Sequence, residues 1–160
     1  MNLPPIDARL RIRRMALADL DRVIELALSL KAAPHWPRSA YLAALDPEAA
    51  PPRIALVAED EETGVVQGFA VTSSLPPQAE LETIAVAAEV QRRGLARRIL
   101  MAMADELRKA RVTEVLVEVR ASNSPAFAFY RSQGFAITGC RPRYYADPIE
   151  DAVLLDLRLA

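Results

Sequence analysis

The sequence is poor in the residues on which several classes of site depend. Among its 160 residues there is one cysteine, Cys140, and one histidine, His35. An internal disulfide is therefore excluded, and we expect no zinc site, or any other metal, because structural zinc takes four cysteine or histidine ligands. Cys140 has no partner histidine in a motif and is interpreted as a buried small apolar residue. His35, in a proline-flanked loop, is interpreted as a surface or packing residue.

Strong charge of one sign and long apolar runs are also missing. The net charge is -1, so no positive field favours nucleic acid or an anionic membrane as a partner. No apolar run approaches the roughly 20 residues that span a bilayer. The start, Met1 to Asp7, lacks the basic and apolar regions of a signal peptide. We therefore expect a cytoplasmic protein that binds neither nucleic acid nor membrane.

The overall composition is typical of one globular domain. Hydrophobic residues make up 52% of the chain and charged residues 26%, enough to bury a single core over residues 1–160. Neither an internal repeat nor a low-complexity tract divides it, and the prolines lie in connectors. Whether the domain is a monomer or a homodimer stays open.

Hydrophobic patterning predicts a strand, two helices and three strands in the first half. The first helix carries an apolar stripe of Leu20, Val23, Ile24, Ala27 and Leu28, and Ser39 is expected to cap the second. A charged turn with Gly64 joins the second and third strands as an antiparallel hairpin. The predicted bounds are Leu10 to Met15, Asp19 to Lys31, Ser39 to Leu45, Ile54 to Ala58, Val65 to Thr72 and Ala79 to Val86.

The second half alternates helices and strands. Leu95, Ile99, Met103 and Leu107 recur every four residues and predict a helix from Gly94 to Lys109. Ser124 as cap and Pro125 in the first turn open another helix, which Gly134 ends. The remaining elements are strands at Thr113 to Arg120, Phe135 to Arg143 and Val153 to Leu159, and the helix Ala126 to Gln133.

The predicted order is β-α-α-β-β-β-α-β-α-β-β. The strands at Ala79 to Val86 and Thr113 to Arg120, joined through a helix, make a right-handed crossover between parallel strands. The fold class is α/β (α+β), a mixed sheet with helices on both faces.

A loop between a strand and a helix is the clearest candidate site. It reads Gln91-Arg92-Arg93-Gly94-Leu95-Ala96, with Arg97 and Arg98 following. Backbone N–H groups and the positive end of the helix dipole meet there, and Gly94 and Ala96 let phosphate oxygens approach the backbone. We predict an anion site for a phosphorylated ligand.

This loop resembles that of the GNAT superfamily of acetyltransferases, in which a Gln/Arg-x-x-Gly-x-Gly/Ala sequence grips the coenzyme A pyrophosphate. The resemblance continues in Ile84-Ala85-Val86, in Glu118 to Asn123 and in Phe129 to Phe135. Tyr144-Tyr145 and Glu150-Asp151-Ala152 make the chain similar to the branch that acetylates the N-terminal alanine of a ribosomal protein. The similarity is close from about Leu81 to Leu159. It implies a GNAT-like single domain with a mostly antiparallel sheet, and acetyl-coenzyme A as the co-substrate.

The resemblance also implies roles for single residues. Glu118 corresponds to the general base and Tyr130 to the acid that protonates the leaving thiolate. The backbone of Ile84, Ala85 and Val86 pairs with the cofactor, and the Asn123 amide holds its pantetheine arm. The implied cofactor-binding set is Ile84, Ala85, Val86, Gln91, Arg92, Arg93, Gly94, Leu95, Ala96, Asn123 and Tyr130. Glu82, Tyr144 and Tyr145 are the candidate substrate contacts.

Alternatives to these roles remain open at the level of sequence. Glu118 alternates with valines and suits a solvent-facing strand position, and Tyr130 suits a core aromatic position. Glu80 and Glu82, two apart on one strand, are rival bases or acceptor contacts. Tyr144 and Tyr145 are either strand-end aromatics or a clamp for an acceptor peptide.

We expect an enzyme that acetylates a primary amine. A protein α-amine has a pKa near 8 and a lysine amine one near 10.4, so the α-amine gives up its proton to a single carboxylate more readily. This favours a protein N-terminus, such as that of an alanine-starting ribosomal protein. The alternatives are a small-molecule amine as acceptor, or a coenzyme A binding module without activity.

Overall fold

The computed structural model describes residues 9–160 of the chain. The segment Met1 to Asp7, on which the expectation about a signal peptide depends, lies outside the described residues. The strands are β1 Leu10–Arg14, β2 Arg53–Asp60, β3 Val66–Leu75, β4 Gln78–Val86, β5 Glu114–Arg120, β6 Ala136–Tyr145 and β7 Glu150–Arg158. The helices are α1 Leu20–Leu28, α2 Arg38–Leu45, α3 Leu95–Lys109 and α4 Ser124–Ser132. The predicted order of elements is confirmed.

All seven strands form one sheet in the order β1-β2-β3-β4-β5-β7-β6. Each neighbouring pair is antiparallel except β4 and β5, which run parallel as the intervening α3 requires. β7 inserts between β5 and β6, so β6, the strand that directly follows α4 in the chain, lies at the edge of the sheet. The prediction of a mixed, mostly antiparallel sheet is confirmed.

Helices cover both faces of the sheet, as predicted. Phe69 of β3 packs against Tyr41 of α2 with 6.1 Å between ring centroids. Thr72, three residues along the same strand, points to the opposite face and donates a hydrogen bond to Met103 Sδ of α3 at 3.3 Å. We call the face of Phe69 the α2 face and the face of Thr72 the α3 face.

The apolar stripe of α3 forms the centre of the core on its face. Leu95, Ile99, Met103 and Leu107 are each at most 1% exposed, and their four-residue spacing places them on one side of the helix. Gly68 of β3 permits this close approach, because a Cβ there would lie 2.8 Å from Ile99 Cδ1. The helix is thereby fixed in register against the strands that precede the candidate site.

Both predicted serine caps are wrong. α2 begins at Arg38 after Pro37, and no side chain caps it. α4 begins at Ser124, and its cap is Asn123, whose Oδ1 accepts a hydrogen bond from Ala126 N at 3.2 Å. A cap must precede the first helical residue. A Ser39 cap would start α2 two residues later than it begins, and a Ser124 cap would start α4 one residue later.

The first helix and the cysteine also differ from expectation. α1 ends at Leu28 rather than Lys31 and follows one turn of 3-10 helix at Leu17–Asp19. The predicted stripe included Leu28, but Leu28 is 59% exposed, and Leu26 is buried instead. Cys140 is exposed rather than buried, because β6 is an edge strand. His35 is exposed, which agrees with its interpretation as a surface residue rather than a packing residue. Its Nε2 lies 3.1 Å from Leu30 O.

Among residues 9–160, none of the helices has both the length and the apolar character that crossing a bilayer requires.

Candidate active site

The two parallel strands at the centre of the sheet separate part of the way along. The ladder pairs are Gln78 with Glu114, Ala79 with Val115 and Glu80 with Leu116, and no later pair joins β4 to β5. β4 continues to Val86 and β5 to Arg120. Backbone groups that face this opening lack a strand partner, so an extended ligand with amide groups can pair with them.

The opening contains Ile84, Ala85 and Val86, the backbone segment that the resemblance assigns to the cofactor. Ala85 and Val86 are buried and Ile84 is half-buried. In the same stretch the Thr83 hydroxyl is buried and has no hydrogen-bond partner among the described residues. A buried hydroxyl without a partner costs free energy unless a ligand or water satisfies it. This part of β4 therefore has the features of a binding surface.

The loop after β4 presents a row of free backbone donors. No acceptor in residues 9–160 pairs with the backbone N–H groups of Arg92 to Arg97. Arg92 has φ 63° and Gly94 has φ 82°, and these left-handed residues curve the backbone so that successive N–H groups can face a common point. Helix α3 begins at Leu95 and adds the positive end of its dipole. The loop suits an anion with several oxygens, such as a diphosphate.

Side chains hold this loop in place and give it positive charge. Gln91 Nε2 donates to Val86 O at 3.0 Å and so ties the loop to the end of β4. Arg92, Arg93 and Arg97 are exposed and free to contact phosphate oxygens. Gln91 thus shapes the loop, a function that the motif alone did not distinguish from ligand contact.

Three glutamates lie on the α2 face beside the opening. Glu80 opposes Leu116, and Glu118 follows two residues later on the same face of β5. β4 carries a bulge in which Val71 opposes Thr83 and Thr72 opposes Leu81, so Glu82 is the extra residue. Glu82 accepts a hydrogen bond from Arg53 Nε at 2.9 Å. The sequence prediction that Glu80 and Glu82 share a face is supported.

Glu118 is held by groups from the distant strand β6. Arg141 Nε lies 3.6 Å from Glu118 Oε1, and the Glu118 side chain is 19% exposed. The Tyr144 hydroxyl also faces this carboxylate, and the hydrogen bond to it raises the pKa of Tyr144. A second irregularity in β6, between Arg141 and Tyr145, brings these side chains over β7 to β5.

The surroundings of Glu80 perturb its ionisation. Partial burial raises its pKa first, and the negative charges of Glu118 and Glu82 raise it further, against an opposing effect of Arg141. The four groups are thus close enough to influence one another. Together they form an acidic cluster, Glu80, Glu82 and Glu118, flanked by Arg53 and Arg141.

The two tyrosines of β6 stand next to the acidic cluster. Their rings meet edge to face at 5.1 Å. The Arg120 guanidinium lies 4.3 Å from the centroid of Tyr145, and that of Arg141 lies 5.6 Å from the centroid of Tyr144. Tyr144 is 50% exposed, so the ring is accessible to an acceptor on the α2 face.

Tyr130 occupies a different environment, in α4. Its side chain is 7% exposed and packs between Phe129 and Phe135, each at 5.2 Å between ring centroids. Burial raises the pKa of Tyr130 well above its ordinary value, so its hydroxyl stays protonated at neutral pH. In the described chain no hydrogen bond joins it to Glu118. The structure therefore brings Glu80, Glu82, Glu118, Tyr144 and Tyr145 together, whereas Tyr130 packs among the aromatic rings of Phe129 and Phe135.

Asn123 precedes Tyr130 at the start of the same helix. Its Oδ1 is used to cap α4, which leaves the Nδ2 donors for another partner. The neighbouring Ser122 N donates to Glu150 Oε2 at 2.7 Å, and Arg120 Nη1 lies 3.4 Å from Glu150 Oε1. Glu150 of β7 thus fixes the turn that carries Asn123.

Sequence reasoning missed three features of this site: the separation of β4 from β5, the pairing of Arg53 with Glu82, and that of Arg141 with Glu118. The two arginines lie 29 and 23 positions from their partners, and no local pattern connects them. Among residues 9–160 no group of three histidine, cysteine, aspartate or glutamate side chains has the arrangement of a metal site.

Comparisons with known proteins agree on one family. The sequence pattern described as the Acetyltransferase (GNAT) family matches residues 20–135. The [ribosomal protein bS18]-alanine N-acetyltransferase of Escherichia coli (strain K12) is 40% identical over 101 residues, which make up 62% of this chain and 68% of that protein. The N-alpha-acetyltransferase RimI of Mycobacterium tuberculosis is 37% identical over 139 residues, 84% of this chain and 83% of that protein.

Solved structures show the same likeness. The crystal structure of the ribosomal-protein-S18-alanine N-acetyltransferase from Escherichia coli has a TM-score of 0.81 at 30% identity and covers 94% of both chains. The structure of Ard1 from Thermoplasma volcanium has the same TM-score at 25% identity. The predicted fold and enzyme class are confirmed: the chain belongs to the GNAT family of acetyltransferases.

Proposed function

We propose that this chain transfers an acetyl group from acetyl-coenzyme A to the N-terminal α-amine of ribosomal protein bS18, whose first residue is alanine. The observation that supports it most is the 40% identity to the Escherichia coli enzyme of that printed activity. The GNAT family match also includes most of the site region, because it extends from α1 past Tyr130 to Phe135.

The described residues fit coenzyme A in two places. The free N–H groups of Arg92 to Arg97 suit its pyrophosphate. The backbone of Ile84 to Val86 pairs with β3 but has no strand partner on its β5 side, and this side suits the amides of the pantetheine arm, with Asn123 Nδ2 as a further donor. Bound there, acetyl-coenzyme A supplies a thioester whose carbonyl carbon is the electrophile.

The chemistry left to the chain is proton movement and orientation. The acceptor arrives as an ammonium ion and must lose a proton before its nitrogen can attack. The acidic cluster on the α2 face can receive that proton, and the family resemblance names Glu118. Tyr130, protonated because it is buried, can donate a proton to the departing sulfur. Tyr144 and Tyr145 border the same face and can hold the first residues of an acceptor peptide.

A peptide assay tests the acceptor. The purified protein, acetyl-coenzyme A and a bS18 N-terminal peptide with one internal lysine are incubated, and the modified position is found by fragment mass spectrometry. A matched peptide with its α-amine blocked is the control. We expect acetylation of the α-amine alone and no reaction of the blocked peptide. Acetylation only on the lysine would contradict the proposal.

One observation favours a second acceptor class. The acidic cluster has three carboxylates and two arginines, and a carboxylate excess suits a small polyamine. The same assay with spermidine, read as release of free coenzyme A, separates this alternative. Turnover of spermidine without turnover of the peptide would replace the protein acceptor by a small amine. If the protein binds coenzyme A but forms no free coenzyme A from acetyl-coenzyme A with any amine tested, it is a binding module instead.

A further inference from the structure

Arg53 reaches the acidic cluster from two strands away. It is the first residue of β2 and opposes Ser73 of β3, which in turn opposes Glu80 of β4. Neighbouring strands lie about 4.8 Å apart, so β2 and β4 are separated by about 10 Å. The side chain of Ser73, which lies between them, is short. The Arg53 side chain spans this distance and places its Nε 2.9 Å from Glu82 Oε1.

The contact between Arg53 and Glu82 is an ion pair in a partly enclosed place. The two side chains are 23% and 19% exposed. Glu82 is the extra residue of the β4 bulge, and it follows Glu80, the last residue of β4 that pairs with β5. Charges that are partly shielded from water interact more strongly than charges on an open surface. Arg53 therefore neutralises Glu82 at the edge of the opening between β4 and β5.

The ion pairs leave the acidic cluster with one unit of negative charge. Glu118 has Arg141 as its counter-charge at 3.6 Å, and Glu82 has Arg53. Glu80 forms no ion pair with any of residues 9–160. Three carboxylates and two guanidinium groups thus match the charge of one ammonium group.

A diamine needs a second unpaired carboxylate at a short distance from the first. Glu80 and Glu82 are two residues apart on β4, which is about 6–7 Å along a strand. Two ammonium groups joined by a short methylene chain could contact both carboxylates if Glu82 were free. Because Arg53 holds Glu82, the second ammonium group would lose water without gaining a partner, and such a cost discriminates between ligands.

We propose that Arg53 is a specificity-determining residue: by pairing with Glu82 it disfavours diamines and polyamines and leaves the cluster suited to an acceptor with one ammonium group at the site of transfer. The inference rests on the proposed acetyl transfer to an amine on the α2 face. It concerns which amines bind there, and the assignment of the general base does not enter it.

Competitive inhibition by a matched pair of amines tests the role of Arg53. Butylamine and putrescine have the same carbon chain, and putrescine has one ammonium group more. Each is titrated against acetylation of an amine that the parent enzyme uses, and the ratio of the two Ki values is compared between variants. In Arg53→Gln, which frees Glu82, we expect the preference for putrescine over butylamine to rise about tenfold.

Three further variants separate charge from structure. The double variant Arg53→Gln/Glu82→Gln removes both members of the pair, restores the net charge of the cluster and should return the Ki ratio to that of the parent. Arg53→Lys keeps the positive charge and should also keep the parent's ratio. Arg14→Gln breaks an ion pair of 2.8 Å with Glu106 of α3, away from the cluster, and should leave the ratio unchanged. Thermal unfolding and coenzyme A titration establish that each variant is folded.

Salt provides a second readout of the charge effect. At 1 M salt the Debye length falls to about 3 Å, so the added preference of Arg53→Gln for putrescine should largely disappear. A change in the shape of the site would persist under these conditions.

The outcomes separate this inference from the proposed function. A parent-like Ki ratio in Arg53→Gln overturns the inference, and so does a raised ratio that the double variant or high salt leaves unchanged. A parent that acetylates small monoamines but not the bS18 peptide contradicts the proposed acceptor, and a raised ratio in Arg53→Gln supports the inference in that case too. A parent that acetylates spermidine faster than any monoamine or peptide overturns both, as does a parent that acetylates no amine.

Discussion

The substitution Gly94→Ala separates ligand binding from stability in the candidate pyrophosphate loop, Gln91 to Ala96. Gly94 has φ 82° and ψ 9°, a left-handed conformation that costs an alanine about 1–2 kcal/mol. A Cβ at this position meets no heavy atom within 4 Å, so no steric cost is added. For a domain of this size the backbone cost corresponds to a decrease in Tm of about 2–8 °C.

The effect on coenzyme A should exceed this backbone cost. The new methyl group projects into open space beside the free N–H groups of Arg92 to Arg97, where phosphate oxygens must approach. We expect the Kd for coenzyme A to rise at least tenfold, which is about 1.4 kcal/mol. Isothermal titration calorimetry gives the Kd, and thermal unfolding gives the stability.

Gly64→Ala is the matched control. Gly64 has φ 70°, lies in the turn between β2 and β3, and has only Glu59 Oε1 within reach of a Cβ, at 4.0 Å. It should show the same decrease in Tm and an unchanged Kd. Equal coenzyme A affinity in the two variants would refute the assignment of the loop as the pyrophosphate site.

Three further predictions concern catalysis and pH. Tyr130→Phe should lower kcat by about 100-fold and change the coenzyme A Kd less than twofold, as steady-state kinetics and calorimetry can measure, because the hydroxyl acts only as the thiolate leaves. Asp19→Asn should lower the free energy of unfolding in urea by roughly 2 kcal/mol at pH 7, because Arg13 contacts that buried carboxylate at 2.8 and 2.9 Å. The hydrogen bond from Arg13 lowers the pKa of Asp19. The stabilisation by this ion pair is therefore complete above pH of about 4 and is lost as the pH falls through the lowered pKa. Urea titrations in acid should accordingly show a smaller loss of unfolding free energy for the variant than for the parent. Glu80→Gln should be at least as stable as the parent at pH 7, because the raised pKa of Glu80 means that its ionised form opposes folding; a clear decrease in Tm would assign Glu80 a structural role.

The sequence alone determined the order of elements and the family, and it located the candidate anion loop at Gln91 to Ala96. Each depends on short-range features: the four-residue spacing from Leu95 to Leu107, the glycine at 94 and the strand that precedes it. Such features act through local backbone conformation, so they can be recognised in the sequence without knowledge of the tertiary structure. The errors at this level were also local, since Ser39 is the second residue and Ser124 the first residue of the helix that each was expected to cap.

Only the tertiary structure decided how the acidic cluster is arranged. The separation of β4 from β5 depends on where a ladder ends, and the partner of Glu118 comes from β6 because β7 folds back between them. The exposure of Cys140 has the same origin, because β6 became the edge of the sheet. Strand order and register are set by contacts between distant segments. That Glu80, unlike Glu82 and Glu118, has no ion pair or hydrogen bond among residues 9–160 is therefore evident only after folding.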